Sequence, residues 1–139
     1  MNYLNKEIVV VGLGYVGLPL AVKLASHFSV IGYDLNKKRV NELKRNQDNT
    51  NEVKKSVLKK TKNIIFTYDK TVITNKYIYI ITVPTPVNKD NKPDLSLLKN
   101  ACREIGKIIN KNAIIIFEST VYPGVTEKEC APIISRESG

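Results

Sequence analysis

The chain has 139 residues and a formal net charge of +9, with 42% hydrophobic and 25% charged residues. That length fits one domain, long enough to bury roughly two-thirds of its unfolded surface, and the proportions exclude a disordered chain, a collagen-like repeat or a disulfide-dependent miniature scaffold. No apolar run approaches the roughly 18 residues of a membrane span, and the opening MNYLNKE lacks the apolar middle of a signal peptide, so a cytoplasmic protein with no membrane partner is expected.

Residues 7–12 (EIVVVG) form a continuous apolar run rich in β-branched residues, the pattern of a strand covered on both faces in a parallel sheet. Helical periodicity follows over about 15–28, with Pro19 in the opening turn, where its missing N–H costs little. His27 falls near the end of that helix; as the chain's one histidine it reads as a capping or surface residue rather than a base. Residues 29–34 (SVIGYD) repeat the strand pattern, and Asn36 offers an N-cap for a helix over about 37–45. A loop at 47–51 (QDNTN) precedes a lysine-rich helix over about 52–60 and a third strand at 64–67.

From Lys37 to Lys62 there are ten Lys and Arg against three acids, a local balance of +7 that accounts for most of the excess charge. The cations alternate with Val40, Leu43, Val53, Val57 and Leu58 at helical spacing, as on the solvated side of amphipathic helices. A nucleic-acid partner is therefore not expected. A dinucleotide or a sugar nucleotide would satisfy any residual attraction for polyanions.

Residues 77–83 (YIYIITV) carry the strongest strand signal, which the breaker-rich segment 84–94 (PTPVNKDNKPD) stops. Asp94 or Ser96 can cap the next helix, which presents Leu97, Leu98, Ala101, Ile105, Ile108 and Ile109 on one side. Residues 113–117 (AIIIF) make a fifth strand, followed by a loop and a helix over about 125–135 interrupted near Pro132. Cys102 and Cys130 lie in predicted helices with no CxxC pair and no Cys/His cluster, so both read as reduced thiols and no metal site is expected. Alternating strands and helices with short connections indicate a doubly wound α/β fold with a parallel sheet and right-handed crossovers. The dinucleotide-binding version of this fold has six strands, so the chain, read as one domain over 1–139, is expected to be a fragment stopping about one strand early.

Gly12-Leu13-Gly14-Tyr15-Val16-Gly17 matches G-x-G-x-x-G directly after a strand and at the opening of a helix, the context that gives the motif meaning. Gly12 permits a tight turn, Gly14 lets the main chain approach a pyrophosphate, and Gly17 lets the helix pack closely on the strand. Asp34 ends the second strand, where its carboxylate can accept hydrogen bonds from an adenosine ribose and would repel a 2′-phosphate. NAD is the expected cofactor, with Lys37, Lys38 and Arg39 close enough in sequence to keep NADP as the alternative.

Five segments in order, VVGLGYVGLPLA (10–21), GYDLNKKRV (32–40), TVPTP (82–86), PDLSLL (93–98) and ESTVYPGVT (118–126), make the chain resemble the UDP-glucose/GDP-mannose dehydrogenase family over its whole length. It looks most like the branch that acts on UDP-N-acetylhexosamines for surface polysaccharide synthesis. The resemblance implies a Rossmann NAD-binding domain of an enzyme that oxidises a sugar-nucleotide primary alcohol to a carboxylate with two NAD. It implies further that Tyr15 and Val16 contact the cofactor diphosphate through their main chain, as do their neighbours in the turn, and that Asp34 and Arg39 hold the adenosine end. Thr85, Ser119 and Thr120 would line the nicotinamide side, with Thr120 the one catalytic candidate, positioning a water or polarising the reacting oxygen. The family's thioester-forming cysteine belongs to a GGxC-type segment that neither Cys102 nor Cys130 matches, so the chain alone is expected to bind NAD without turnover. The resemblance places the sugar-reading residues and a dimerising helical region beyond residue 139. A ligand-sensing Rossmann module is the alternative from another class; it shares the glycine turn but requires neither VPTP nor ESTVYPG. The same two loops argue against another NAD-dependent dehydrogenase.

Overall fold

The structure, a computed structural model, describes residues 6–88 and 91–139. Met1 to Asn5, on which part of the signal-peptide reading rests, and Lys89 and Asp90 of the breaker-rich segment lie outside the described residues.

Five strands, β1 (Ile8–Val11), β2 (Val30–Tyr33), β3 (Ile64–Thr67), β4 (Ile78–Ile81) and β5 (Ile114–Phe117), form one sheet in the order β3-β2-β1-β4-β5. All four pairings are parallel. The order reverses between β1 and β4: the connection after β1 runs toward β2 and that after β4 toward β5, which opens a crevice at their carboxyl ends, where doubly wound sheets take their ligands. Helices α1 (Gly17–Leu24), α2 (Lys37–Lys44) and α3 (Lys55–Lys60) cover one face; α4 (Ser96–Gly106) and α5 (Ala131–Ser138) cover the other.

Strand alternation explains why the central strand is apolar throughout. Ile8 and Val10 enter the core with Leu18, Ala21, Leu43 and Leu58, while Val9 and Val11 enter the opposite core with Tyr79, Leu98, Cys102 and Ile134. A buried aliphatic side chain of this size contributes about 1.5–3 kcal/mol, so β1 alone anchors both layers. The Tyr79 hydroxyl, buried with its ring, donates to the Ile73 carbonyl at 2.5 Å and accepts from the Lys76 amide at 3.1 Å.

The doubly wound reading and its strand count hold; the differences lie at helix ends. The first helix is shorter than expected: Tyr15 and Val16 belong to the turn, and after Leu24 the Ser26 amide bonds to the Lys23 carbonyl, closing a tighter turn. His27 is exposed in that turn. Asn36 caps α2 as expected, its side chain accepting from the Arg39 amide. The lysine-rich helix begins at Lys55 rather than near Glu52, because the Asp48 carboxylate takes the Glu52 and Val53 amides into a turn of its own. Residues 70–73 form a short 3₁₀ turn that has no counterpart in the sequence reading. The break expected at Pro132 falls earlier: Thr126–Cys130 form a widened π-type turn that runs directly into α5, with Pro132 in the first turn of that helix. No helix among the described residues is long and apolar enough to cross a membrane.

Candidate functional site

A cleft of about 680 Å³ opens along the carboxyl edge of β1, β2 and β4 and is walled by α4. Gly12, Leu13, Gly14, Asp34 and Arg39, all expected from the sequence, line it.

The glycine turn is built from the strand outward. The Gly12 amide donates to the Tyr33 carbonyl at 2.8 Å, continuing the β1–β2 ladder, and the chain then turns with φ +96° at Gly12, a conformation that glycine alone adopts without strain. The Thr82 hydroxyl, buried at the end of β4, donates to the Gly12 carbonyl at 2.7 Å and fixes that turn from below. A Cβ on Gly17 would lie 1.8 Å from the Gly12 carbonyl oxygen and 2.4 Å from the Thr82 hydroxyl, so only glycine lets α1 approach this closely. A Cβ on Gly14, by contrast, would meet nothing within 4 Å; it would project into the open cleft. The two glycines differ: the fold requires the one, and the other leaves space at the cleft.

Asp34 points into the turn. Its Oδ2 accepts from the Leu13 amide at 2.8 Å and its Oδ1 from the Asn36 amide at 2.8 Å, leaving further lone pairs on both oxygens at the cleft. Tyr15 and Val16 stand exposed at the head of α1, which receives no side-chain cap; the Leu18 amide bonds to the Gly14 carbonyl and the Leu20 amide to that of Val16, so the amides a ligand can meet are those of the turn ahead of Leu18. The uncapped helix head, the open space over Gly14 and the apolar wall of Leu35, Leu97, Ala101 and Ile105 fit a dinucleotide: anionic diphosphate at the amides, ribose at Asp34 and a flat base on the wall. Tyr33, beneath this wall, has its pKa raised by burial, and Glu104 on α4 is held below the usual carboxyl range by the ammonium groups of Lys70 and then Lys107.

Arg39 departs from its neighbours among the lysines. The other nine cations between Lys37 and Lys62 are exposed, whereas Arg39 is buried at 6%. Its Nε donates to the Leu13 carbonyl at 2.8 Å, one terminal nitrogen to Asp48 at 2.7 Å and to Asn49 at 2.6 Å, and the other to the Thr50 hydroxyl at 3.3 Å. The Asp48 side chain is 1% exposed. Burial opposes its charge, but hydrogen bonds from the Thr50 hydroxyl, the Val53 amide and Arg39 outweigh that and bring its pKa from 3.8 down to about 2.

Thr85, Ser119 and Thr120 form a second group just beyond the cleft, which ends at Val83 and Pro84. The Thr85 hydroxyl donates to the Thr120 carbonyl and Ser119 to the Val83 carbonyl, so the segments after β4 and β5 are tied together. The Thr120 residue is exposed, and its hydroxyl makes no hydrogen bond among the described residues. Cys102 and Cys130 are fully buried in the α4–α5 core; burial and then the neighbouring Cys130 push the Cys102 thiol up to about 12, and burial raises that of Cys130. No cluster of metal-ligating side chains exists among the described residues. Sequence reasoning missed Thr82, Asp48, Asn49, Thr50 and the α4 wall. Thr82 stood inside a segment already singled out, and a Thr directly after the strongest strand was a usable signal.

Residues 6–139 match the model of the UDP-glucose/GDP-mannose dehydrogenase family, NAD binding domain. Protein CapL of Staphylococcus aureus is 49% identical over 136 residues, spanning 98% of this chain and 32% of its own. A UDP-N-acetyl-D-glucosamine 6-dehydrogenase of Pseudomonas aeruginosa is 44% identical over 96% of this chain and 32% of its own length. Among solved structures, a UDP-D-ManNAc dehydrogenase of Pyrococcus horikoshii superposes with a TM-score of 0.88 at 32% identity, covering 96% of this chain and 32% of its own. The chain thus spans about a third of the length of the curated relatives it matches. Its glycine turn, strand-ending aspartate and sheet order are those of a cofactor domain, and the chain belongs to the UDP-glucose/GDP-mannose dehydrogenase family as its NAD binding domain.

Proposed function

We propose that this domain serves a nucleotide-sugar 6-dehydrogenase that oxidises the primary alcohol of a UDP-N-acetylhexosamine to the uronic acid for polysaccharide synthesis. The observation that carries the reading is the placement of two groups on one sheet edge: the Gly12–Asp34 cradle at β1 and β2, and the Thr85–Thr120 pair after β4 and β5. The likeness to CapL and to UDP-N-acetyl-D-glucosamine 6-dehydrogenases supports the branch.

NAD, when bound, supplies the hydride acceptor. The chain's own residues orient it: the main chain of Gly14, Tyr15 and Val16 receives the diphosphate, and Asp34 holds the adenosine ribose with Arg39 beside it. Thr85 holds the loop that carries Thr120, whose exposed hydroxyl orients a water or the reacting oxygen. The acyl-carrying thiol is supplied from elsewhere in the protein, since a buried thiol with a raised pKa is a poor nucleophile. The working enzyme is a cytoplasmic homodimer or higher oligomer.

The test is NADH formation by the gene product that carries this domain. Reduction of NAD with UDP-N-acetylglucosamine or UDP-N-acetylgalactosamine, lost when Thr120 is replaced by Ala, is expected. Turnover of a non-nucleotide alcohol alone, or full rate in the Thr120→Ala variant, would contradict it.

A further inference from the structure

A guanidinium beside a ribose-binding acid is the group that would accept a 2′-phosphate, and Arg39 is in that position: its Nε bonds to the carbonyl of Leu13, the residue whose amide bonds to Asp34. Yet four of its five N–H groups are committed inside the protein, to Leu13, Asp48, Asn49 and Thr50. A phosphate is held best by two parallel N–H groups, and one is left. We propose that Asp48 is a specificity-determining positioning residue: by holding the Arg39 guanidinium inward, it withholds the cation that a 2′-phosphate needs and so sets the domain for NAD rather than NADP.

Three observations support this. Arg39 is the one buried member of an otherwise solvated run of cations. Its carboxylate partner lies in the loop 47–51, nine residues along, and is itself fully enclosed. The same carboxylate takes the amides of Thr50, Glu52 and Val53, so the loop that presents Asn49 and Thr50 to the cleft is folded around the charge that holds Arg39. The Asp34 carboxylate at the ribose then repels a phosphate with no free guanidinium to offset it, and the exposed Lys37 and Lys38 do not line the cleft.

The inference rests on NAD binding at the glycine turn, and calorimetric titration of the 139-residue chain with NAD and NADP separates the two. The unsubstituted chain is expected to prefer NAD. In Asp48→Asn the ratio of the NADP to the NAD dissociation constant is expected to fall about tenfold, the scale of one hydrogen bond to a charged group. That fall should vanish in the Arg39→Met/Asp48→Asn double variant. Asn49→Ala, which leaves the Asp48 hydrogen bonds to the loop intact, should lower the ratio by a smaller factor and serves if Asp48→Asn does not fold. A purely structural role would weaken both cofactors alike; an unchanged ratio in the folded variants, or a shift that survives removal of Arg39, overturns the proposal. Failure of the unsubstituted chain to bind NAD would overturn the cofactor reading and this inference with it.

Discussion

The two halves of the carboxyl edge are built in different ways. Around β1 and β2 the chain holds its site with its own atoms: the Leu13 amide and carbonyl are gripped by Asp34 and Arg39, Arg39 by Asp48, and Gly12 by Thr82. Around β4 and β5 a hydroxyl-to-carbonyl bond and the Ser119 bond tie the two loops, and β5 shows Ile114 and Ile116 to solvent at 42% and 38%. The dinucleotide cradle is therefore pre-organised, with little left to order on binding, while Thr85 and Thr120 are held by fewer bonds.

Replacing a glycine in the tight half should have the largest effect. Gly17→Ala places a carbon 1.8 Å from the Gly12 carbonyl oxygen, which the backbone cannot yield without parting α1 from β1. A loss of about 4 kcal/mol or more is expected, read as collapse of the thermal transition or of soluble yield. Wild-type melting would show that α1 has slack the geometry denies.

Acid should loosen the same half next. The Asp48 pKa is depressed from 3.8 to about 2 in the folded chain, so its contribution is complete above the unfolded value and is lost as pH falls from about 4 through 2. The shift corresponds to about 2 kcal/mol. Urea titrations across that interval should show the decline, and Asp48→Asn should flatten it; an equal slope in both proteins would place the acid-sensitive group elsewhere.

Gly14→Ala sharpens the contrast between fold and ligand. With nothing within 4 Å of the added methyl, stability should change by at most about 1 kcal/mol, while NAD affinity falls about tenfold or more. Loss of both together would mean that Gly14 serves the fold. Smallest of all, Ile116→Thr on the open strand should leave the melting point within the change expected of about 0.5 kcal/mol, as a solvated position allows.

What the sequence made legible was local. A β-branched run, three glycines at fixed spacing and a strand-ending Asp each state their role within a few residues, and β1, the turn and Asp34 stand where those signals put them. The Thr85–Thr120 pairing was legible in part, since both residues follow strands that share an edge. The Arg39–Asp48 pair was not, because it depends on a loop closing back on α2, and Arg39 sits in a run of cations that the helical pattern assigns to solvent. The late start of α3 has the same cause: Asp48 captures the amides that the lysine-rich segment would have placed in a first turn. The widened turn before Pro132 escaped notice because periodicity registers a proline as a break but does not say on which side the helix adjusts.

The central claim is that the bend at Gly12–Gly14, with Asp34 beside it, receives the dinucleotide at the head of α1. Titrating NAD into the isotopically labelled chain and following its backbone amides by NMR tests this residue by residue. The account predicts the largest saturable shifts at Leu13, Gly14, Tyr15, Val16 and Asn36, with β5 little changed. Saturation with those amides unmoved would contradict it.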